Sequence, residues 1–545
     1  MQIKFAKSDT IDFDLLPTVI LISNKSTIIM NEKLFTLYDC MRRIRKIAVG
    51  LFLMTLLLAS NLQATELHIG TATVDITPKI PVALMGQFNL RIADTVETPL
   101  TANVIALESR EGNRSLDEAI MVSCDLTGIP EKLLKMVCDE VHKQIPELDV
   151  KKIFMTAIHT HTAPVLENDL TSSFRYQIPK RGVLQVEEYN IFFVHQITEA
   201  IVKAWKNRRP GSVTWGLSHA AIAYNRRVVY SKEVPTPGYF SDGSAQMYGN
   251  TNLPEFINLE GMEDHDVNML FFWDKSGKLI AMTIDVPCPA QEVEDRSAVN
   301  ADYWHPVREK LKHRFGPDLC VLGWIGAAGD QSPRPLYRKA AEERMIKLRN
   351  LTRLEEIARR IVLAVEEAYE TVKDDRYVDV QLIHKVETLT LPMRLVTEQE
   401  YLFSRGERDK AAAQIAADST AASEVLARMT WNRDVVDRFE KQKIDPNPNM
   451  EAEVHVLRIG DVVICTNQFE LFTDYGIRIQ ARSNALQTFV IQLAAGNGSY
   501  LPTEKAVKGG GYSAVIQSDM VSPEGGQILV DSTVEMINSM WPGMK

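Results

Sequence analysis

The chain has 545 residues, of which 45% are hydrophobic and 24% charged, and its formal net charge is -10. This balance is typical of a soluble globular protein with one large domain or two to three smaller ones. The acidic charge, with no strongly basic block after the N-terminal region, argues against a nucleic-acid partner, because phosphate binding needs clustered Lys and Arg.

Residues 41–64 have the layout of an export signal. Four basic residues precede an apolar run of about 13 residues, which is shorter than the roughly 20 that cross a bilayer, and the small residue Ala64 follows. We interpret 41–64 as a signal peptide, residues 1–40 as a mis-called extension before Met41, and the mature protein as periplasmic or secreted. A membrane anchor is the alternative interpretation of the same run.

The cysteines predict no disulfide framework. Of six in the chain, five follow the export signal, and an odd number leaves at least one thiol unpaired. Their spacing matches no zinc finger. Cys124, Cys320 and Cys465 lie in apolar runs, where a buried thiol is the usual interpretation.

Short apolar runs predict strands that are near-continuous rather than alternating, which is typical of strands buried on both faces. They lie at residues 103–107, 119–123, 153–157, 269–273, 279–284, 320–324, 454–457, 462–465 and 489–493. Helical patterns occupy residues 130–144, 186–206 and 351–372, and the Ala-rich, charged stretch 397–443 predicts one or two surface helices. Such a mixture predicts an α/β or α+β fold with a strand-rich core and flanking helices.

The first chemical motif is His159-Thr160-His161, which follows the predicted strand at 153–157. Two His at i and i+2 on a strand point to the same face, and both could reach one metal ion. The alternative is a pair of polar residues at a strand end.

The second motif, GAAGDQSP at 326–333, follows the run at 320–324. A Gly-rich turn at a strand end lets the backbone approach a ligand closely and would present Ser332 at the top of the sheet. A plain turn explains the same residues.

The third motif places Glu470 in an apolar, aromatic segment after two strands. A carboxylate is costly there unless it is paired or binds a metal. The alternative is the first turn of a helix, where the helix dipole favours an acid.

The fourth motif contains Gly496, Ser499, Tyr500, Pro502 and Thr503, with Tyr512 further along. A Tyr near a divalent metal can be a ligand or can polarise a substrate oxygen. A buried Tyr with a satisfied hydroxyl is the alternative.

These segments together resemble the neutral ceramidase family. The opening GTATVDITP at 70–78 with Met85-Gly86 resembles its N-terminal signature, and MVSCDL at 121–126 also fits. The four motifs above appear in the family's order, and the similarity covers roughly residues 66–515. The resemblance implies one hydrolase domain at 65–545, with the family's mixed catalytic fold but without its C-terminal immunoglobulin-like domain.

The resemblance also implies a zinc site. His159, Glu470 and Tyr500 match metal ligands of the family, and Gln468 stands where its Pro is usual. His161, Tyr512 and Ser332 match active-site residues, with Ser332 at the family's catalytic Ser, and Arg226 matches a residue that contacts substrate.

One departure concerns the second His ligand of the family, which precedes a Pro at a strand end. The corresponding segment here reads VPCPAQ at 286–291, so Cys288 appears at the His position. A thiolate is a good zinc ligand, and we expect Cys288 to complete the site. Gln291, Glu292 or His305 is the alternative.

The resemblance implies a zinc hydrolase of N-acyl bonds that converts N-acylsphingosine to sphingosine and a fatty acid, and the signal-peptide layout of residues 41–64 predicts that it is exported. The expected partner is a small-molecule or lipid substrate, with peripheral membrane-surface contact for a lipid. Two alternatives stay open: a periplasmic esterase, amidase or other hydrolase of a polar compound such as a carbohydrate, and a non-catalytic binding protein on the same scaffold.

Overall fold

A computed structural model describes residues 65–170, 172–233, 239–241, 243–418, 423–496 and 498–541. The interpretations of residues 1–40 and 41–64, an extension and an export signal, lie outside these ranges. From Thr65 onward the described chain forms one unit. None of its helices in these ranges combines the length and the hydropathy that crossing a membrane requires.

The strands are numbered in chain order. They are β1 (Glu66–Asp75), β2 (Val82–Leu84), β3 (Arg91–Ala93), β4 (Thr101–Glu111), β5 (Arg114–Cys124), β6 (Ile153–Ala157), β7 (Arg209–His219), β8 (Tyr224–Asn225), β9 (Arg227–Tyr230), β10 (Ala245–Met247), β11 (Phe256–Leu259), β12 (Asp266–Asp274), β13 (Leu279–Val286), β14 (Cys320–Ile325), β15 (Gln331–Ser332), β16 (Leu382–Pro392), β17 (Asn449–Ile459), β18 (Val462–Thr466), β19 (Glu470–Leu471), β20 (Gln487–Ile491) and β21 (Tyr500–Leu501).

The helices are numbered in the same way. They are α1 (Glu131–Gln144), α2 (Val186–Asn207), α3 (Trp304–Phe315), α4 (Lys339–Leu348), α5 (Arg353–Val372), α6 (Glu398–Ala417), α7 (Ser423–Gln442), α8 (Thr473–Arg482), α9 (Glu504–Gly509) and α10 (Pro523–Asn538). Short 3₁₀ turns occupy Val150–Lys152 and Tyr512–Ala514.

Two sheets pack face to face and form the centre of the fold. The larger has eight strands in the order β14-β13-β12-β7-β1-β4-β5-β6, and the smaller has four in the order β16-β17-β18-β20. Ile105 and Leu107 of β4 pack in one cluster with Leu457 and Ile464 of the smaller sheet. Burial of this interface explains why the two sheets stay together.

Helices cover the outer faces of both sheets. Val104 and Ala106, which alternate with Ile105 and Leu107 along β4, pack with α1 and α2 on the opposite face. Helices α3 and α5 cover β12 and β13, and α8 and α10 cover the smaller sheet. Because successive residues point to opposite faces and both faces are buried, the strands read as continuous apolar runs, as expected from the sequence.

The fold class predicted from the sequence, a mixed α/β architecture with a strand-rich core and flanking helices, is confirmed. The predicted helix at 130–144 begins one residue after Pro130, and the stretch 397–443 forms the two helices α6 and α7. The stretch 397–443 is less exposed than predicted, because Trp431 and Val435 of α7 are buried.

Candidate functional site

Three strand ends meet beneath the site. Gln492, which follows β20, donates its amide to the carbonyl of Ile325 at the end of β14 (3.0 Å). Ala157 at the end of β6 donates its amide to the carbonyl of Leu493 (3.2 Å). The polar segments that follow these strands therefore begin close together, although they are far apart in the sequence.

His159 lies two residues beyond β6 with a φ of 64°, a left-handed conformation that is uncommon outside glycine. Its Nδ1 is 2.6 Å from the carbonyl oxygen of Thr127, so this nitrogen donates and Nε2 keeps its lone pair for another partner. Neighbouring Thr160 donates its amide to the carbonyl of Leu126 and anchors the turn. Unusual backbone conformations of this kind are concentrated at functional sites.

His161 lies against His159 and is oriented by a carboxylate. The two Nε2 atoms are 3.2 Å apart, and His161 Nδ1 is 3.3 Å from Oε2 of Glu294. Burial lowers the pKa of His161, and the Glu294 carboxylate offsets part of that change. Burial also opposes ionisation of Glu294, yet the hydrogen bond and charge of His161 and the charge of Arg334 hold its pKa at about 2.

Gly86 makes room for the His161 ring. Its φ is 106°, and a Cβ at this position would lie 2.4 Å from the ring of His161. A side chain at residue 86 would therefore displace the imidazole, which explains the glycine in the Met85-Gly86 pair.

Glu470 and Tyr500 are brought together by the short parallel pair β19 and β21, in which they are directly opposite. Oε2 of Glu470 is 3.4 Å from Nε2 of His159. Burial opposes ionisation of Glu470, but His159, Arg226 and the Tyr500 hydroxyl together lower its pKa. Burial raises the pKa of Tyr500 well above its ordinary value, so this phenol keeps its proton.

Arg226 connects the two sides of the site and is only 2% exposed. Its guanidinium donates to four oxygens, those of the Tyr248 hydroxyl (3.0 Å), the Gln291 amide (3.1 Å), the Gly329 carbonyl (2.9 Å) and the Tyr500 hydroxyl (3.2 Å). Burial disfavours its charge, but Tyr500, Tyr248 and Glu470 raise its pKa. A fixed cation therefore lies beside the cluster of His159 and Glu470.

Two further residues enter the site from the segment after β13. Gln291 lies with its Nε2 2.8 Å from Nε2 of His161 and its Oε1 on Arg226, and Glu294 contacts the other side of His161. Gln291 is one of the alternatives that the sequence offered in place of Cys288, whereas no motif anticipated Glu294. The only sequence signal for Glu294 was that this carboxylate follows the buried strand β13 at a distance of eight residues.

A large cavity of about 1170 Å³ opens on this cluster. A second cavity of about 230 Å³ adjoins the first and shares part of its lining. His159, Glu470, Tyr500 and Tyr512 line both. Tyr512 begins a 3₁₀ turn, and its ring centroid is 6.0 Å from that of Tyr500.

Cys288 lines neither of these cavities. It is fully buried in an apolar cluster, and its thiol donates to the carbonyl of Ile222 (3.5 Å). Burial raises the pKa of this thiol strongly, which keeps it protonated. The structure therefore does not bring Cys288 together with His159 and Glu470 as the expected fourth ligand, because the turn after β13 directs Gln291 there instead.

Ser332 also lines neither cavity. It is fully buried in β15, paired with Tyr224, and its hydroxyl accepts from the amide of Arg334 (3.2 Å). The preceding Asp330 accepts from the amide and hydroxyl of Thr473 (2.8 and 2.7 Å). The Gly-rich motif thus joins β15 to the start of α8, rather than exposing Ser332 as the sequence predicted.

The donor atoms around His159 can be compared with a zinc site. Ligands about 2.0–2.1 Å from a tetrahedral zinc lie roughly 3.3 Å from each other. Nε2 of His159 is 3.2 Å from Nε2 of His161 and 3.4 Å from Oε2 of Glu470. Two facing imidazole lone pairs repel unless a cation or a proton lies between them, so these separations are compatible with a shared divalent metal and also with one ring donating a proton to the other.

His159, His161 and Glu470 do not complete a metal site without Tyr500. In the described part of the chain, no group of three or more His, Cys, Asp or Glu side chains is arranged to hold a metal ion. Tyr500, opposite Glu470 in the ladder, hydrogen-bonds to the Glu470 carboxylate and adds a further oxygen to the cluster. A metal here would depend on His159, Glu470 and Tyr500, with His161 close by.

The chain matches no protein-family model and no curated protein. Its fold is similar to the crystal structure of neutral ceramidase from Pseudomonas aeruginosa, with a TM-score of 0.59 and 16% identity over 87% of this chain and 75% of that one. A structure of ceramidase complexed with C2 has a TM-score of 0.59 and 16% identity over 88% and 76% of the two chains. At this identity the likeness shows a common, ceramidase-like fold.

Proposed function

We propose that this chain is a metal-dependent hydrolase that cleaves an acyl carbon–nitrogen bond. The observation that carries the proposal is the convergence of two histidines, a carboxylate, a tyrosine and an arginine from four separate segments on one cavity. The ceramidase-like fold supports it by analogy. Water adds across the amide: its oxygen bonds to the acyl carbon, the carbon–nitrogen bond breaks, and a proton passes to the amine.

His161 and Glu294 form the proton-transfer pair. Because burial lowers the pKa of His161, its imidazole is neutral near pH 7 and can accept a proton at Nε2 once Gln291 gives up that position. The Glu294 carboxylate, with a pKa of about 2, stays ionised and stabilises the imidazolium that forms. A base oriented by a second group in this way is a recurrent arrangement in hydrolases.

Arg226 stabilises the negative charge that develops on the acyl oxygen. Its guanidinium is held rigidly by four acceptors. Donors fixed before the reaction in a buried site need no reorganisation, which makes their contribution large.

Zinc is the proposed metal, held by His159, Glu470 and Tyr500. When bound it supplies a Lewis acid that polarises the acyl carbonyl and acidifies water. The hydrogen bond from His159 Nδ1 to the Thr127 carbonyl orients the ring for this role.

Two substrates are compatible with cleavage of an acyl carbon–nitrogen bond. N-acylsphingosine follows from the likeness to ceramidases. A hydrophilic substrate is the alternative, because the large cavity also contains charged residues that can hydrogen-bond to it, among them Glu292, Asp295, Arg334 and Lys339. The proposed export signal places either reaction outside the cytoplasm, and sequencing the N-terminus of the mature protein would test that placement.

The deciding experiment measures zinc content and amide hydrolysis for the purified protein and for His159→Ala. We expect about one zinc per chain in the parent, and loss of both zinc and turnover in the variant. His219→Ala is the matched control, because His219 is 69% exposed and pairs only with Asp266 in the described structure. A parent protein without zinc and without turnover would overturn the proposal in favour of a binding protein on this scaffold.

A further inference from the structure

The hairpin of β2 and β3 lies against the segment that carries His161. Leu84 of β2 is opposite Arg91, the first residue of β3. Met85, which follows β2 directly, donates its amide to the carbonyl of Ala163 (3.0 Å). The side chain of Arg91 therefore starts from a strand that is fixed beside the His161 segment.

Arg91 is 5% exposed, and its guanidinium donates to four backbone carbonyls. Nη2 donates to the carbonyls of Met85 (2.7 Å) and His161 (2.6 Å). Nη1 donates to the carbonyls of Glu294 (2.6 Å) and Arg296 (2.9 Å). Because the donors of a guanidinium form a rigid planar fork, one buried cation sets the distance between the backbone of His161 and that of Glu294.

The two residues that Arg91 joins through their backbones also meet through their side chains. Nδ1 of His161 is 3.3 Å from Oε2 of Glu294, and Arg91 binds the carbonyl oxygens of the same two residues. A hydrogen bond weakens steeply as its distance and angle depart from the optimum. A small shift of either segment would therefore weaken the contact between the imidazole and the carboxylate.

Other hydrogen bonds hold the same two segments together at a distance from this contact. The hydroxyls of Thr160 and Thr162 both donate to the carbonyl of Asn300 (2.7 Å each). Asn300 in turn donates its amide to the carbonyl of Thr162 (3.2 Å). The two segments should therefore stay associated when Arg91 is replaced, and the change should appear in the geometry of the proton-transfer pair.

We propose that Arg91 is a positioning residue for the hydrolysis. Its guanidinium holds the backbones of His161 and Glu294 at the separation that keeps their side chains within hydrogen-bonding distance. Arg91 lines neither cavity among the residues described there, so it acts through this pair rather than on the substrate. Its effect on the rate rests on the proposed function, whereas its effect on the geometry does not.

Arg91→Lys tests the role, because a lysine keeps the charge but cannot reproduce the planar fork. For hydrolysis of N-acetylsphingosine, we expect kcat to fall about 10²-fold, the usual effect of a misplacement of about 1 Å, with KM changed by less than about twofold. Arg458→Lys is the matched control, since Arg458 also donates to backbone carbonyls, those of Gly460 and Met540. Arg91→Gln, which is neutral and keeps two N–H donors, is the second variant should the buried ammonium prevent folding.

A double-mutant cycle with Glu294→Gln separates positioning from a general loss of structure. If Arg91 acts through the pair, the double variant should be about as slow as Glu294→Gln alone, because the contact that Arg91 maintains is already lost. Losses that multiply, or an unchanged kcat in folded Arg91→Lys and Arg91→Gln, would overturn the proposal.

A crystal structure of the folded Arg91 variant supplies a readout that needs no turnover. We expect the separation of His161 Nδ1 and Glu294 Oε2 to exceed the 3.3 Å of the parent, and an unchanged separation overturns the positioning role. A parent protein that hydrolyses no amide overturns the proposed function alone, because the crystal structure of the variant still decides what Arg91 does.

Discussion

The side chains of His159 and Glu470, which follow strand ends, line a cavity. The side chains of Cys288 and Ser332, which also follow strand ends, are buried in the protein interior. All four follow buried strands and look alike as sequence motifs. The difference lies in the backbone beyond the strand. His159 takes a left-handed φ, and Glu470 enters a short parallel ladder, while Ser332 enters an antiparallel one. A motif after a strand thus indicates where chemistry is concentrated, but not which side chain reaches the substrate.

The strongest test of the cavity side is Glu470→Gln. We expect a loss of kcat/KM of about 10³-fold or more, because the change removes the carboxylate that lies beside His159. Among the residues described as lining both cavities, Glu470 is the only one with a carboxylate. Steady-state kinetics and zinc analysis measure it. Glu504→Gln, at a 72% exposed carboxylate paired with Lys508, should change neither. Retention of zinc and full activity in Glu470→Gln would remove Glu470 from the site.

Arg226→Met tests the residue that links the two sides of the cavity. It leaves the Gly329 carbonyl and the Gln291 amide oxygen without their donor, so we expect a loss of about 2–4 kcal/mol in the free energy of unfolding. Activity should fall about 10²-fold with the loss of the charge beside Tyr500.

Denaturant titration and kinetics separate the two effects of Arg226→Met. Arg209→Met, an exposed arginine that donates only to nearby backbone carbonyls, is the control. An unchanged kcat in folded Arg226→Met would show that Arg226 is structural alone.

Glu292 sharpens the comparison, because it follows Cys288 by four residues yet lines the large cavity. Burial raises its pKa to about 7, and Arg353 only partly offsets this. The folded state therefore holds the proton more tightly than the unfolded chain. This contribution to stability is complete below about pH 4.5 and is lost as the pH rises through 7.

Glu292→Gln should remove this pH dependence. Between pH 4.5 and 7, we expect the decline in the free energy of unfolding to shrink by on the order of 1–3 kcal/mol. Denaturant titrations across this range measure the change. Asp295→Asn, at a neighbouring carboxylate that is 77% exposed, should leave the profile as it is. If the free energy of unfolding of Glu292→Gln depended on pH as it does in the parent, Glu292 would not be the group responsible for this dependence.

The smallest effects on activity are expected on the interior side. Ser332→Ala and Cys288→Ala should keep kcat/KM within about threefold and zinc content unchanged, at a cost of about 1–2 kcal/mol in stability. Cys465→Ala, another fully buried thiol, is the matched control for Cys288. A large loss of kcat in stably folded Ser332→Ala would show that Ser332 takes part in the reaction despite its buried position.

Much of the site could be predicted because its motifs are local. His159, His161, Arg226, Glu470, Tyr500 and Tyr512 all line the large cavity, as the resemblance led us to expect. Their roles stay predictions. The position of Glu294 in the site could not be predicted, because it depends on contact with His161 across 133 residues of sequence. The burial of Trp431 could not be predicted, because the sequence of α7 is typical of a surface helix.

The sequence by itself determined the layers of this protein. Continuous apolar runs require strands covered on both faces, and periodic helices supply the cover. Only the tertiary structure decided that Gln291 rather than Cys288 approaches His161, and that two cavities share His159, Glu470 and Tyr500 in their linings. The physical reason is that periodicity records which face of an element is buried, whereas the direction of a side chain beyond a strand depends on backbone angles and on partners distant in sequence.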